Sequence, residues 1–261
     1  MNMIVCVKHV PRTENVHLKA GEEFSPVGLA GRLNLFDTFA IEAAARIKEK
    51  ISDAKILLLS IGSEGAERAL IEGLSIAADK AFLVRDDAYT GCDAVASARI
   101  LAEAIKRIEA EEGFADLILT GKQSTDSGSG VISEMLSELL GRKAVASVSE
   151  ISSVSAGNME IVVRNADGFA SAHASLPCIL SLTKPPYEVR LATFKRIREA
   201  NKAYIPHFDS QVLGSFDAAT KVLKIIKPGR NNKNSIIHEE DEIASTELLL
   251  SMLKEDKIFE R

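Results

Sequence analysis

The chain is predicted to be an α/β protein: a parallel sheet with helices on both faces, Rossmann-like in plan, with an antiparallel meander and a C-terminal arm. Three observations predict it. As far as Leu140, continuous apolar runs such as KILLLSI at 55–61 alternate with amphipathic stretches, the pattern of strands covered on both faces. After Lys143 the pattern changes to short β-prone runs separated by Gly157-Asn158 and Asp167-Gly168, dipeptides that tolerate positive φ and suit tight turns. From Pro206 onward the sequence lacks core-type runs and reads as an arm.

The first strand is read at 3–7 and the first helix at 36–50, with Ile41, Ala45 and Ile47 apolar and Arg46, Lys48 and Glu49 outward. KILLLSI gives the second strand, and the Ser63 hydroxyl is placed to cap a helix over 64–77. A strand at 81–84, a long helix at 92–111, a strand at 116–120 and a helix ending at Leu140 follow. The meander takes 144–154, 159–164 and 169–174, and 176–182 returns as a core strand ended by Lys184-Pro185-Pro186. Residues 190–202, RLATFKRIREANK, form a strongly basic amphipathic stretch. The arm holds polar loops such as KPGRNNKNS, a short strand at 221–226 and a terminal helix at 243–253. Two domains are expected, 1–203 and 204–261.

Composition narrows the function. The 261 residues are 46% hydrophobic and 26% charged, values of a soluble globular protein, and no apolar run approaches the ~20 residues that span a bilayer. The start, MNMIVCVKHV, enters a strand directly, so no targeting peptide is read and a cytoplasmic location is expected. A net charge of −5 argues against general nucleic-acid binding. Cys6, Cys92 and Cys178 are widely spaced, which suits a reducing compartment, and five scattered histidines make no ligand set. No metal site is expected.

The segment 116–133, DLILTGKQSTDSGSGVIS, carries the functional signal. An apolar strand runs into a loop of Gly, Ser, Thr, Asp, Lys and Gln, and a helix begins near Val131. Such a loop offers backbone N–H groups and hydroxyls to an anion, and the helix adds the positive end of its dipole. A phosphate-bearing ligand, a nucleotide, is therefore expected there. Strict fingerprints are absent: Gly128-Ser129-Gly130 before Val131, Ile132 and Ser133 is one glycine short of the dinucleotide pattern, and Gly121-Lys122-Gln123 is not a P-loop. An ordinary turn uses the same residue types, yet ten consecutive small or polar residues at 121–130 exceed what a turn needs. Asp126 is read as organising the loop or meeting a ribose hydroxyl. Lys122 is read as offsetting phosphate charge or as a solvated surface lysine.

With these elements in place, the sequence resembles the β subunit of electron transfer flavoproteins, including the FixA-like branch. The resemblance rests on VCVKHVPRT, LNLFDTFAIEAAARIKEK, ILLLSIGSEGAERAL with IAADKAFLV, LILTGKQSTDSGSG, LPCILSLT, RLATFKRIREANK and the late TKVLKI, in order along nearly the whole chain. It implies a heterodimer whose α subunit carries the redox-active FAD, with 204–261 packing on that subunit. It also implies an adenine nucleotide in this chain, either AMP or, in the electron-bifurcating branch, a second FAD. By position the pocket would use Cys6, Asn34, Leu35, Phe36, Asp37 and Ile61. Its phosphate cradle would be Gly121, Lys122, Gln123, Ser124, Thr125, Asp126, Ser127, Gly128, Ser129, Gly130, Val131 and Ile132. The family's Gly-Asp-Thr-x-Gln-Val-Gly-Pro run after the loop aspartate is replaced here by Ser127–Glu134 (SGSGVISE), so more contact must come from backbone. AMP against FAD stays open; the KHVPRT start inclines slightly towards a second FAD, although Arg12 stands where an aspartate is usual. The resemblance further implies docking to a partner dehydrogenase through Phe194, with Ile197 on the same helical face and Arg190, Lys195, Arg196 and Arg198 as a cationic rim.

No residue set here could carry out redox chemistry unaided, so an electron carrier is expected rather than an enzyme with its own catalytic residues. The competing class is an adenine-nucleotide enzyme or sensor of the ATP pyrophosphatase or stress-protein type. It lacks support from a Ser-Gly-Gly-type pyrophosphate loop, and Asp86-Asp87 lies in a turn without a third ligand.

Overall fold

Strands whose residues are apolar at every position can be buried only if both faces of their sheet are covered, and the helices that cover them must then alternate along the chain. The computed structural model has this arrangement; it describes residues 1–14, 16–26, 28–155, 157–227, 237 and 241–255. In chain order the elements are β1 (Asn2–Cys6), β2 (His9–Pro11), β3 (Glu23–Phe24), β4 (Gly31–Leu33), α1 (Leu35–Lys50), β5 (Lys55–Ile61), α2 (Glu64–Ile76), β6 (Lys80–Val84), a 3-10 turn at Asp87–Tyr89 and α3 (Ala94–Glu112). There follow β7 (Leu117–Gly121), α4 (Ile132–Leu140), β8 (Lys143–Ser155), β9 (Asn158–Asn165), β10 (Gly168–Ser175), β11 (Cys178–Leu182), α5 (Phe194–Ala200), β12 (His207–Phe208), α6 (Ser210–Leu213), β13 (Ile225–Ile226) and α7 (Glu242–Glu255). The polar segment 227–235 lies, beyond Lys227, outside the described residues.

The described residues form two compact units, Met1–Val16 with Pro26–Leu223, and His17–Ser25 with Lys224–Arg261. The large unit holds a nine-stranded sheet in the order β10-β9-β8-β11-β7-β1-β5-β6-β12. From β8 to β12 all neighbours run parallel, while β9 and β10 complete an antiparallel meander with β8. Leu58, Leu83 and Leu119 pack under α1 and α2 on one face, and Ile4, Leu57, Phe82 and Ile118 under α3 on the other. The parallel sheet with an attached meander agrees with the sequence reading.

Differences are local. Ser63 stands at the N-cap of α2, but its side chain makes no capping bond; Asp93, which opens α3, caps by accepting from the Ala96 amide at 2.9 Å. Strand β11 begins at Cys178, after a cis Leu176–Pro177 bond. His207–Phe208, in the stretch read as the beginning of the arm, adds an edge strand to the sheet: Phe208 is buried and stacks on Phe82 at 5.9 Å, and Leu213 is buried beside it. Burial of two apolar residues at an exposed edge is enough to hold so short a strand, yet two residues give no periodicity to read. In the small unit β13 pairs antiparallel with β3, the Lys227 ammonium donates to the Leu18 carbonyl at 2.6 Å, and α7 has no buried residue.

Candidate functional site

In a parallel sheet the chain reverses its winding direction at one point, and a crevice opens there beyond the strand ends. Here β1 is followed outward by β5 and β6 on one side, and β7 pairs on its other side, so the reversal falls between β1 and β7. Cys6 ends β1 opposite Thr120 of β7. The glycine-serine loop therefore leaves from the edge of the crevice.

Asn34 ties the crevice together. Its side chain is buried and donates to Asp37 Oδ1 and to the Gln123 carbonyl, both at 2.9 Å, while its Oδ1 accepts from the Thr125 amide at 3.1 Å. Its own amide donates to the Lys8 carbonyl at 2.9 Å. Through its side chain and its backbone amide together, this one residue joins the tip of β1, the start of α1 and the loop after β7. Asp37 is buried and accepts from the Lys8 amide at 2.7 Å; burial pushes its carboxyl from 3.8 up to about 7, against the lowering effect of the bonds from Asn34 and Lys8. Gly121 passes so close to the first turn of α1 that a Cβ would stand 2.3 Å from Asp37 Oδ1 and 2.8 Å from the Phe36 backbone. Only glycine fits.

The loop is pinned at both ends and open in the middle. The Lys122 amide donates to the Leu182 carbonyl at 2.8 Å and the Gly128 amide to the Ser124 carbonyl at 2.9 Å. Ser124 and Ser127 share a hydroxyl bond at 2.8 Å, and the Ser127 amide donates to Asp126 Oδ1 at 2.8 Å. The Lys8 ammonium meets Asp126 Oδ2 at 2.7 Å; burial alone would raise the Asp126 carboxyl, but that bond and one from Ser124 hold it below its ordinary range. Asp126 thus organises the loop, with its charge compensated by a lysine. Gly130, at φ +62°, turns the chain into α4; a Cβ there would come within 3.2 Å of the Lys122 carbonyl.

The N-cap of α4 is the apolar Val131, which has no side-chain capping bond. The amides of Ser129, Gly130, Val131 and Ile132 accordingly have no hydrogen-bond acceptor among the described residues. The Thr120 hydroxyl at the tip of β7 is buried and equally without a partner. Consecutive free amides at a helix start, uncharged hydroxyls and a neutralised carboxylate suit the phosphate of a nucleotide. The donor set fits.

The remaining predicted pocket residues lie around this crevice in different ways. Cys6 is buried, and burial, with the charge of Asp37, raises its thiol to about 12, so it serves as wall rather than nucleophile. Leu35 and Phe36 belong to the first turn of α1 rather than preceding it; Leu35 is half-exposed. Ile61 ends β5, next to β1. Lys122 is exposed. Sequence reasoning missed Lys8 and Thr120; both stand at or just past the end of a strand flanking the reversal, a position that could have singled them out.

The basic stretch 190–202 divides into inward and outward groups. Arg190 makes two side-chain bonds to the buried Glu42 carboxylate, at 2.7 and 3.2 Å, and meets Glu49 at 2.9 Å. Arg196 donates to the carbonyls of Leu74 and Ala78, each at 2.9 Å, and of Ser75 at 3.3 Å, closing the end of α2. These two cations serve this chain's own structure and do not form a free rim. Phe194 is 94% exposed and Leu191 90%, Ile197 is partly exposed, and Lys195 and Arg198 are exposed with no partner among the described residues. Among the described residues no cluster of His, Cys, Asp or Glu is arranged to hold a metal, and no helix is long and apolar enough to cross a membrane. Asp86 is engaged in holding Ser210 through its amide and hydroxyl, at 2.9 and 2.6 Å.

Comparison with known proteins points the same way. The family model described as "Electron transfer flavoprotein domain" matches residues 24–212. The chain is 31% identical to an electron transfer flavoprotein subunit beta of Megasphaera elsdenii, over 93% of each chain. It is 30% identical to Protein FixA of Bradyrhizobium diazoefficiens, over 86% of this chain and 78% of that one. It is 28% identical to the caffeyl-CoA reductase-Etf complex subunit CarD of Acetobacterium woodii, over 99% of this chain and all of that protein. A match over most of the strand-and-helix core, with relatives aligned nearly end to end, shows that the chain belongs to the electron transfer flavoprotein family.

Proposed function

We propose that the chain is the β-type subunit of a heterodimeric electron transfer flavoprotein and that its crevice holds the adenylate end of a nucleotide, either AMP or FAD. The observation that carries the reading is the set of four consecutive unpartnered amides at residues 129–132, in the loop that leaves β7, whose Thr120 hydroxyl is also unpartnered. Flavin, when bound in such a complex, supplies the one- and two-electron chemistry that no side chain of this protein offers. The chain's own residues bind and orient. The amides of 129–132 and the start of α4 would receive the phosphate, Asn34 and Asp37 would keep the loop in place, and Cys6 and Ile61 would wall the base. Lys8 compensates Asp126, so the carboxylate does not repel the phosphate.

The exposed Phe194 and Leu191, with Lys195 and Arg198, would form the surface that meets a partner dehydrogenase. The C-terminal helix, with Leu248, Leu249, Leu250 and Met252 all exposed, would pack on the α subunit. Three free thiols fit a cytoplasmic setting. The test is co-expression with the α subunit and heat release of bound nucleotides from the yellow complex. One FAD together with either AMP or a further FAD per heterodimer is expected; a complex that releases a single FAD and no other adenine nucleotide contradicts the reading.

A further inference from the structure

Between β11 and α5 the chain meets one face of α1. Glu42, Arg46 and Glu49 stand at i, i+4 and i+7 on that helix and so share a face, and each of them meets the connecting segment. The Arg190 amide, Nε and Nη2 all donate to the Glu42 carboxylate, at 3.1, 2.7 and 3.2 Å, and Nη1 meets Glu49 at 2.9 Å. The Arg46 guanidinium, itself bonded to Glu42 at 2.8 Å, lies over the Tyr187 ring at 3.6 Å. Glu42 is buried. Further along, Arg196 ties α5 to the end of α2, and the Thr193 hydroxyl accepts from the Arg196 amide at 3.3 Å. Leu191 and Phe194 lie between these two anchors, almost wholly exposed.

Exposed apolar side chains have little packing of their own to orient them, so the backbone that carries them must be held from elsewhere. A buried ion pair is a costly device for stability alone, since apolar side chains of similar volume often serve as well. What a planar guanidinium fork on two carboxylate oxygens adds is one fixed geometry. The bond from the Arg190 amide to the same carboxylate extends that geometry to the main chain, immediately before Leu191. We infer that Glu42 and Arg190 are positioning residues for docking: they hold segment 191–195 in its docking geometry before the partner dehydrogenase arrives. This role presupposes the docking surface proposed above. Ordering the segment in advance removes that cost from association, so losing the clamp weakens the encounter and leaves electron transfer within the formed complex unchanged.

The test is steady-state reduction of the intact heterodimer by the dehydrogenase that reduces the native complex, with the flavoprotein as the varied substrate. The native chain is compared with Glu42→Gln, Arg190→Lys, the double variant and Phe194→Ala. Arg190→Lys keeps a cation beside the carboxylate and loses only the fork, so it remains decisive where Glu42→Gln fails to fold. Each clamp variant is expected to raise KM about fivefold to tenfold with kcat within about twofold of native. The double variant should be no worse than Glu42→Gln, because both changes act through one contact. Trypsin cleavage after residue 190, read by mass spectrometry, should quicken about tenfold as the segment is released. The inference falls if the clamp variants lower the melting temperature while KM and cleavage stay native, or if their KM effects multiply in the double variant. Raised KM in Phe194→Ala with native KM in both clamp variants overturns the positioning role alone. Native KM in Phe194→Ala overturns the docking reading, and the positioning role with it.

Discussion

Asn34 is the residue on which the crevice depends, because its side chain ties the start of α1 to the loop after β7 while its backbone amide holds the tip of β1. Asn34→Ala leaves the Thr125 amide and the Gln123 carbonyl without that partner, and is expected to destabilise the fold by about 1–3 kcal/mol. Urea unfolding checks the stability, and nucleotide retained by the complex checks the site; a native nucleotide content would separate the two roles. Asp37 makes a pH prediction. Its carboxyl sits at about 7 when folded and at 3.8 as a free side chain, so between those values the folded state holds a proton that the unfolded state has released. Its contribution is therefore fully present below pH 4 or so and is lost as pH rises through about 7. Asp37→Asn should flatten that part of the stability–pH curve. An unchanged slope in urea melts at about pH 5 and about pH 8 would show that Asp37 titrates elsewhere.

At the scale of the element, α5 presents two faces with opposite duties. Phe194 points outward and Arg196 inward to the carbonyls that end α2. Phe194→Ala should change stability by less than about 0.5 kcal/mol while slowing electron exchange with the partner dehydrogenase proposed above. Arg196→Ala should cost about 1–3 kcal/mol of stability, because three buried-side carbonyls lose their donor. Thermal melts and reduction kinetics on both variants check the division; a destabilised Phe194→Ala would contradict it. The amphipathic pattern of 190–202 announced a basic helix but not which arginines turn inward, since Glu42 and the end of α2 are far away in sequence. Capping was legible only by residue type. Ser63 and Asp93 are both good N-cap residues, yet only the Asp93 side chain reaches an amide, because that depends on its backbone and rotamer.

At the scale of the molecule, the parallel sheet was legible because continuous apolar strands and intervening helices leave few other arrangements. The meander was legible through its turn dipeptides. The short pairs were not: His9–Pro11 with Gly31–Leu33, and His207–Phe208 on β6, are too brief to show a period and are fixed by tertiary contact. Likewise the loop composition pointed to a polar crossing between β7 and the next helix, but the Lys8–Asp126 ion pair joins residues 118 apart and appears only when β1 and β7 become neighbours. Nucleotide phosphate is expected where those neighbours end. Electron density for the co-purified heterodimer tests this most directly. The account predicts a nucleotide whose phosphate oxygens lie within hydrogen-bond distance, about 2.7–3.2 Å, of the amides of residues 129–132. Density showing the nucleotide elsewhere, with those amides facing only solvent, would contradict it.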